Sequence, residues 1–529
     1  MPKKTFRLPI WPASGGLDQS SIPGTAKPEK LEDCDNVLFT VNGSRKKKWG
    51  LNTYYRSGYT PTVSQGFRGL TDFWRNVSNV QTHKVVSFVG NKVWADAADG
   101  RFTDITGAAS LVAGDQVIFD VFEGLQLLFF ENAVPYKWNM VGNIAVLGGV
   151  PASCSLGRVH KRRVWLAGNK AAPHRLYYSA VDAPEDYTLG SGGGSLDLDS
   201  GDSDPVGIVA IFPSFFDDLY VAKRRSLYRI REIYDYDQTT GEFVTTFKVE
   251  PVIKGIGCIS HNSVIATPND LIWCSERGIH SLRATDQYGD VDAAFLSFPI
   301  HEFYNSNVNF SKAKNMWAVY APELNSYLLA FTRRGQSHNV DLLGYNLVLG
   351  EWFRWQNYDA AALCQFVDSR GKTRILVGQE DLNIGILDQD LVTDLGTSYS
   401  MYCTTPIIYP MGRPDVEVDY KNLWLFFKPQ DSGNIYVSYQ IDDKDSITET
   451  VDQRDDTGDI IGTAIIGQGI IGGAGTIKTV RVPLQGAGRG IRFTFSQIPT
   501  STTTGEDCDI YGYIIEGAYA EDSALSTAI

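Results

Sequence analysis

Four residues with the side chains of a zinc site fall in one stretch. Cys258, His261, Cys274 and His280 are spaced C-x2-H-x12-C-x5-H, and thiolate and imidazole are the donors that structural zinc takes. The surrounding pattern gives a simpler account. Cys274 and His280 fall on the two arms of a predicted hairpin and Cys258 at the start of the strand before it, so a core cysteine and a rim histidine explain them without metal. The histidines at 83, 160, 174, 301 and 338 are scattered and support no nucleophile–base–orienter triad. Two adjacent carboxylate pairs, Asp217-Asp218 and Asp455-Asp456, have the residue types of a glycoside-cleaving acid and base. In a chain with 61 acidic residues adjacency of this kind reads as solvated loop. The stretch "GSGGGSLDLDSGDSD", 190 to 204, could offer carboxylate oxygens to calcium, but it lacks the EF-hand spacing and no GK[ST] follows for a phosphate loop. It reads as a long loop. No catalytic residue, metal or cofactor is expected.

Three basic runs stand out in a chain whose formal net charge is −13 and whose pI is near 5.1. They are Arg45, Lys46, Lys47 and Lys48, just after the turn Asn42-Gly43; Lys161-Arg162-Arg163; and Lys223-Arg224-Arg225. No aromatic–basic interleaving of the RNA-binding kind surrounds them, and the acidic balance argues against a general nucleic-acid binder. The stretch 458 to 477, "GDIIGTAIIGQGIIGGAGTI", pairs Ile460 with Ile461, Ile465 with Ile466 and Ile470 with Ile471 among glycines. Apolar pairs with little nearby to bury them point to an interface.

The elements that must position these residues are mostly strands. An apolar run, a small polar turn and a second run rich in Tyr, Trp or Leu recur from Lys84, Gln126, Arg163, Asp218, Asp270, Ser326 and Arg374. That spacing matches the roughly 40 to 50 residues of a four-stranded propeller blade. One such sheet buries too little alone, and stacking around an axis lets each cover the next. The expected fold is therefore all-β: a β-propeller of about seven blades (six to eight) over 61–395, followed by a C-terminal β-sandwich over 396–529 with a Gly-rich loop at 452–477. Residues 1–60 read as an N-terminal arm and hairpin, in which 27 to 37, "KPEKLEDCDNV", could hold a turn or two of helix. There is no WD dipeptide and no kelch double glycine. "VDSRGKTRI", 367 to 375, differs from the sialidase Asp-box turn SxDxGxTW because Asp368 is misplaced relative to Gly371, and it reads as a hairpin turn. Seven scattered cysteines without a CxxC suit reduced thiols and assembly in a reducing cytoplasm. The start, with Lys3 and Lys4 but no apolar run, reads as no signal peptide. No apolar run is long enough to span a membrane.

Two stretches carry a family likeness. "SGGLDQSSIPGTAKPEKLEDCDNVLFTVNGSRKKKWGL", 14 to 51, has a glycine pair, an acidic segment ending in Asn36-Val37, a strand, an Asn-Gly turn, a basic cluster and Gly50. It resembles the opening of the tail nozzle proteins of short-tailed bacteriophages, the tail tubular protein B type, where this stretch commonly reads "GG…L…N…G…kkRxG". Lys48-Trp49-Gly50 stands where arginine-x-glycine is frequent. "HRLYYSAVDAPEDYT", 174 to 188, followed by "IVAIFPSFFDDLYVAKRRSLYRI", 208 to 230, is similar to one blade of that family. The likeness covers about 14 to 395. It implies a non-enzymatic structural protein of the virion tail with a propeller core, assembled in the host cytoplasm. Such a protein forms a homohexameric ring at the distal end of the tail. Its partners are a tail adaptor protein, which joins it to the portal, and tail fibre or spike proteins. The genome is held back and then leaves through the lumen without specific binding, which an acidic wall would favour. On this reading Arg45 to Lys48 lie on a hairpin rim, facing acidic surface on a neighbouring subunit or the adaptor and setting docking register. The glycan-binding or glycan-hydrolysing propeller protein of a tail is the alternative.

Overall fold

The computed structural model describes residues 3–21, 24–55, 66–96, 101–151, 153–198, 204, 206–215, 217–237, 242–268, 270–282, 295–454 and 477–520. Strands dominate and are arranged in many small antiparallel sheets. The chain divides into two compact units, one of 53–343 with 357–386, the other of 1–52, 344–356 and 387–529.

The first of these units is a succession of seven small sheets in chain order. Four have four consecutive strands each, running over 67–104, 117–146, 156–197 and 210–254. The fifth has three, Ile265–Thr267, Asp270–Cys274 and Ile279–Ser281. The sixth holds Trp317–Ala321, Ser326–Thr332 and Asn339–Asn346, and the seventh Ala360–Val367, Thr373–Gln379 and Ile384–Asp388. Every predicted hairpin is the second and third strands of one of these sheets. Two-residue turns join the first strand to the second in three of the sheets. Ser78 and Asn79, Glu123 and Gly124, and Lys161 and Arg162 all have positive φ between strands that pair directly on either side. That is the type I′ geometry whose twist suits a hairpin. The second basic run is thus a turn: Lys161 reaches Glu232 at 3.4 Å and Arg162 reaches Asp182 at 2.5 Å.

Each sheet covers the next. Phe73, Phe88 and Val93 of the first share a core with Val117, Leu128 and Phe130 of the second. Ile118, Leu127 and Phe129 of the second meet Val164 and Leu166 of the third. Trp165 and Leu176 of the third pack on Leu219, Val221 and Tyr228 of the fourth, and Phe212, Tyr220 and Leu227 around the fourth on Leu271 and Trp273 of the fifth. Polar bonds continue the series. The Tyr327 hydroxyl of the sixth sheet donates to the Ser263 carbonyl beside the fifth at 3.0 Å, and Trp317 Nε1 of the sixth donates to the Leu363 carbonyl of the seventh at 2.5 Å. The seventh then returns to the first. Arg68 grips Glu380 with both terminal nitrogens at 2.9 Å, the Val367 N–H donates to Asp72 Oδ2 at 3.2 Å, and Phe366 lies 5.6 Å from the His83 ring.

Glycine sets how closely two of these sheets approach. A Cβ on Gly157, in the strand Leu156–His160, would lie 2.3 Å from the Phe129 ring of the preceding sheet, so the backbone rests on that ring because it has no side chain there.

The other unit has two sheets. Val37–Phe39, Arg45–Lys47, Asp509–Ala520, Val418–Phe427 and Lys478–Pro483 lie in that order in one, with Lys3–Ile10 and Ala487–Gly488 added at its sides. Asp33–Asp35, Met401–Thr404, Ile491–Gln497, Asn434–Ile441 and Ile447–Asp452 form the second. Their facing side chains share a core in which Tyr513 of the first lies 5.1 Å from Phe495 and 5.9 Å from Phe493 of the second.

Three expectations change here. Residues 3–52 are no separate arm, because Lys3–Ile10 pairs along Asp509–Ala520 and Arg45–Lys47 pairs with the same strand. The boundary expected after 395 falls after 386. The 27–37 stretch is not helical: Asp33–Asp35 pairs with Met401–Thr404 and Val37–Phe39 with Arg45–Lys47, and burial of Cys34, Val37 and Phe39 overrides local helix propensity. A short helix does occur, at His301–Asn307.

Gly157→Val should destabilise the protein by about 1–3 kcal/mol, the usual cost of overpacking. A lowered denaturant midpoint with an unchanged slope checks this.

Candidate functional site

The basic strand is the first place to look, because its sequence promised a docking rim. Thr40 and Ser44 close its hairpin, with Gly43 at φ 85° in the turn. Alternation along the strand places Arg45 and Lys47 on one face and Lys46 on the other. Arg45, Lys47 and Lys48 are wholly buried and Lys46 half-buried. The rim reading is therefore corrected. Three of the four cations face inward, because Arg45 and Lys47 share the face that packs between the two sheets.

A buried cation needs partners, and all of these come from the same unit. Arg45 Nη2 donates to the Glu29 carbonyl at 2.8 Å. Lys47 Nζ donates to Gln497 Oε1 at 2.7 Å and to the Glu506 carbonyl at 2.8 Å, while Gln497 Nε2 donates to Glu506 Oε2 at 2.8 Å. Lys48 Nζ pairs with Asp394 Oδ2 at 2.5 Å and sits 3.7 Å from the centre of the Tyr399 ring; that tyrosine's hydroxyl donates back to the Lys48 carbonyl at 2.7 Å. Lys46 reaches Asp507 at 3.3 Å. Burial pulls the Lys47 ammonium down to about 8. It pulls Lys48 down as well, against the opposing pull of Asp394. These are structural cations that fasten the N-terminal hairpin between the sheets. Ile460, Ile461, Ile465, Ile466, Ile470 and Ile471 lie outside the described residues, as does the pair Asp455-Asp456.

The zinc-type set does not assemble. Cys258 Sγ donates to the Ser260 carbonyl at 3.1 Å, Cys274 Sγ lies 3.6 Å from the Tyr327 hydroxyl, and His280 Nε2 bonds Ser275 Oγ at 2.7 Å. His261 Nδ1 accepts the Ile211 N–H at 3.3 Å. Burial pushes the Cys258 thiol up to about 12 and Cys274 up to about 11, and draws His280 down to about 3 and His261 well below its usual range. All four are neutral near pH 7. Among the described residues no three His, Cys, Asp or Glu side chains converge as a metal site. The other paper candidates are paired too. Asp218 lies 3.8 Å from Arg229 and 4.0 Å from Arg231, and Asp197 of the glycine-rich stretch chelates Arg175 at 2.7 and 2.9 Å. In the third basic run Lys223 is buried and Arg224 holds Glu276 at 2.5 Å.

What the sequence did not flag is a cleft of about 150 Å³ within the seven-sheet unit. Gln116 just before the second sheet and Ile118 in it, Leu156 of the third, Val209 before the fourth, and Ile259 and His261 before the fifth line it. Lys314 and Glu131, 3.2 Å apart and both partly exposed, stand at its edge. Two buried polar atoms of its wall, His261 Nε2 and Gln116 Oε1, have no hydrogen-bond partner among the described residues. His261 was noticed for its spacing to cysteines; nothing in the sequence ties it to Gln116, 145 positions earlier.

No family model matches this sequence and no curated protein matches it. Solved structures do. YCF48 bound to D1 peptide is 10% identical, with a TM-score of 0.36, over 67% of this chain and 98% of that one. The computationally designed Ika8 protein is 9% identical, with a TM-score of 0.33, over 70% and 99%. An exo-β-1,3-galactanase from Phanerochaete chrysosporium is 9% identical, with a TM-score of 0.24, over 89% and 100%. At these values they bear on neither activity nor partners.

Two outcomes test the buried cations. Asp394→Asn leaves Lys48 buried beside a neutral group, and should cost about 3–5 kcal/mol in denaturant unfolding. Lys47→Met removes the buried cation but leaves the Gln497 Oε1 and Glu506 carbonyl acceptors without their donor, and should cost about 1–3 kcal/mol relative to wild type at pH 7. The two should then diverge. An unfolded lysine titrates near 10.4, so between about 8 and that value the unfolded chain holds a proton that the folded chain has released. Wild-type stability therefore rises with pH across that window, by on the order of 3 kcal/mol relative to Lys47→Met.

Proposed function

We propose that this chain is a structural component of a short-tailed bacteriophage tail, a nozzle protein of the tail tubular protein B type. On this reading the seven sheets are blades of a β-propeller and the two-sheet unit a β-sandwich. About six copies close into a ring at the distal end of the tail, held by an adaptor protein and flanked by fibres or spikes. The genome passes through it.

The observation that carries this reading is where the family-like residues fall. Asn36 adopts φ 56° and Gly43 φ 85°, a Cβ on Gly50 would lie 2.2 Å from the Thr393 carbonyl, and Lys47 and Lys48 are the buried cations described above. The likeness in 14–51 thus rests on positions this fold can least exchange, which is what a shared architecture requires and a chance match in a surface loop does not. The second stretch runs from the strand Arg175–Tyr178 into the strands Leu219–Ala222 and Ser226–Asp237, across the contact of the third and fourth sheets. The formal charge of −13 suits a conduit past which DNA slides. Among the described residues no helix is long and apolar enough to cross a membrane.

The purified protein should show a solution mass of about six chains by light scattering and a hollow ring in negative stain. It should bind duplex DNA weakly even at low salt. A monomer that cleaves polysaccharide would overturn the proposal in favour of a glycan-hydrolysing tail protein.

A further inference from the structure

The cleft in the seven-sheet unit has a chemistry of its own, independent of the nozzle reading. His261 is 6% exposed. Its Nδ1 accepts the Ile211 N–H, so the proton of the neutral ring sits on Nε2, and that nitrogen is a donor with no partner among the described residues. Gln116 Nε2 donates to Asn315 Oδ1 at 3.4 Å, and its Oε1, an acceptor, is left without a partner among the described residues. A buried polar group left unsatisfied costs about 1–3 kcal/mol, and two in the wall of one cleft mark a place that a ligand completes. Around them stand the aliphatic side chains of Ile118, Leu156, Val209 and Ile259. The Lys314–Glu131 pair at the edge is neutral as a unit. Burial and the nearby Arg158 keep the imidazole uncharged, so the cleft offers no net charge to an ion.

An unmet donor and an unmet acceptor, aliphatic side chains interspersed with Ser155, Ser260 and Asn262, and no net charge suit a small neutral group with a carbonyl, an N–H and a methyl. We infer that this cleft binds an acetamido group, with His261 Nε2 donating to its carbonyl and Gln116 Oε1 accepting its N–H. The methyl rests on the aliphatic wall. The group occurs on N-acetylated sugars and on acetylated peptide amines, and the cleft's chemistry is the same for both.

The test is titration of the full-length protein with N-acetylglucosamine and with N-acetylglycinamide, read by calorimetry and by thermal midpoint. Glucosamine and glycinamide are the controls. Saturable binding of either acetylated compound, at least tenfold tighter than its control, supports the site, and the tighter of the two identifies the source of the group. His261→Phe and Gln116→Met should each weaken that binding about tenfold, the loss of one hydrogen bond of roughly 1.4 kcal/mol. Gln116 lies toward the cleft's partly exposed side and serves if His261→Phe fails to fold. No saturable binding to wild type overturns the inference, as does equal binding of the controls or unaltered affinity in a folded Gln116→Met. None of these results bears on ring formation, so this inference and the nozzle proposal fail separately.

Discussion

A sheet of three or four strands cannot hide both of its faces by itself, and everything in the seven-sheet unit follows from that. Each face needs a neighbour, and a row of such sheets has two ends with nothing to cover them unless the last returns to the first. Arg68 with Glu380, and the Val367 N–H with Asp72, make that return. The interior then needs few large hydrophobic layers. Aromatic side chains such as Phe129, Trp165 and Trp273 fill the wedges between adjacent sheets, and glycine at 157 lets one backbone lie directly on a ring. The cleft is a by-product of the same geometry, since residues from or leading into four successive sheets line it.

The two-sheet unit solves a different problem. It is assembled from three separated pieces of chain, and buried polar contacts hold them in register. Lys47 and Lys48 find their partners in Gln497, Glu506 and Asp394, and Arg354 is buried against Asp33 and the Tyr402 hydroxyl, each at 3.1 Å. Such interactions contribute little net stability against apolar replacements, but each has only one well-satisfied arrangement. Register is what a discontinuous unit needs most.

Much of the strand content could be read directly from the residues. Each recurrent hairpin is the second and third strands of a sheet, because those strands combine long apolar runs with tight polar turns. The first strand of most sheets escaped notice; before Asp270 one was expected from Cys258, which lies in a loop, the strand being Ile265–Thr267. Some are very short, such as Ala210–Ile211 and Ile265–Thr267, and Ala360–Val367, marked only by the hairpin turn that follows it, is buried on both faces and loses its alternation. The basic run was visible as a run but not as a buried one. Charge in sequence reads as surface, and the groups that permit its burial lie 346 positions away in Asp394 and 459 in Glu506. The cleft was illegible for the same reason: two ordinary polar residues far apart in the chain become unusual only when both lose their partners.

The bond between Arg68 and Glu380 also spans 312 positions. A ribosome delivers the first sheet long before the seventh exists, so the flank of strand Phe67–Val77, with Phe67 against which Gly378 will rest, has no cover while most of the chain is still being made. Non-local closure of this kind slows folding and exposes sticky intermediates. Until the seventh sheet is made, the nascent stack has one apolar flank uncovered, a state in which slow non-local closure competes with aggregation.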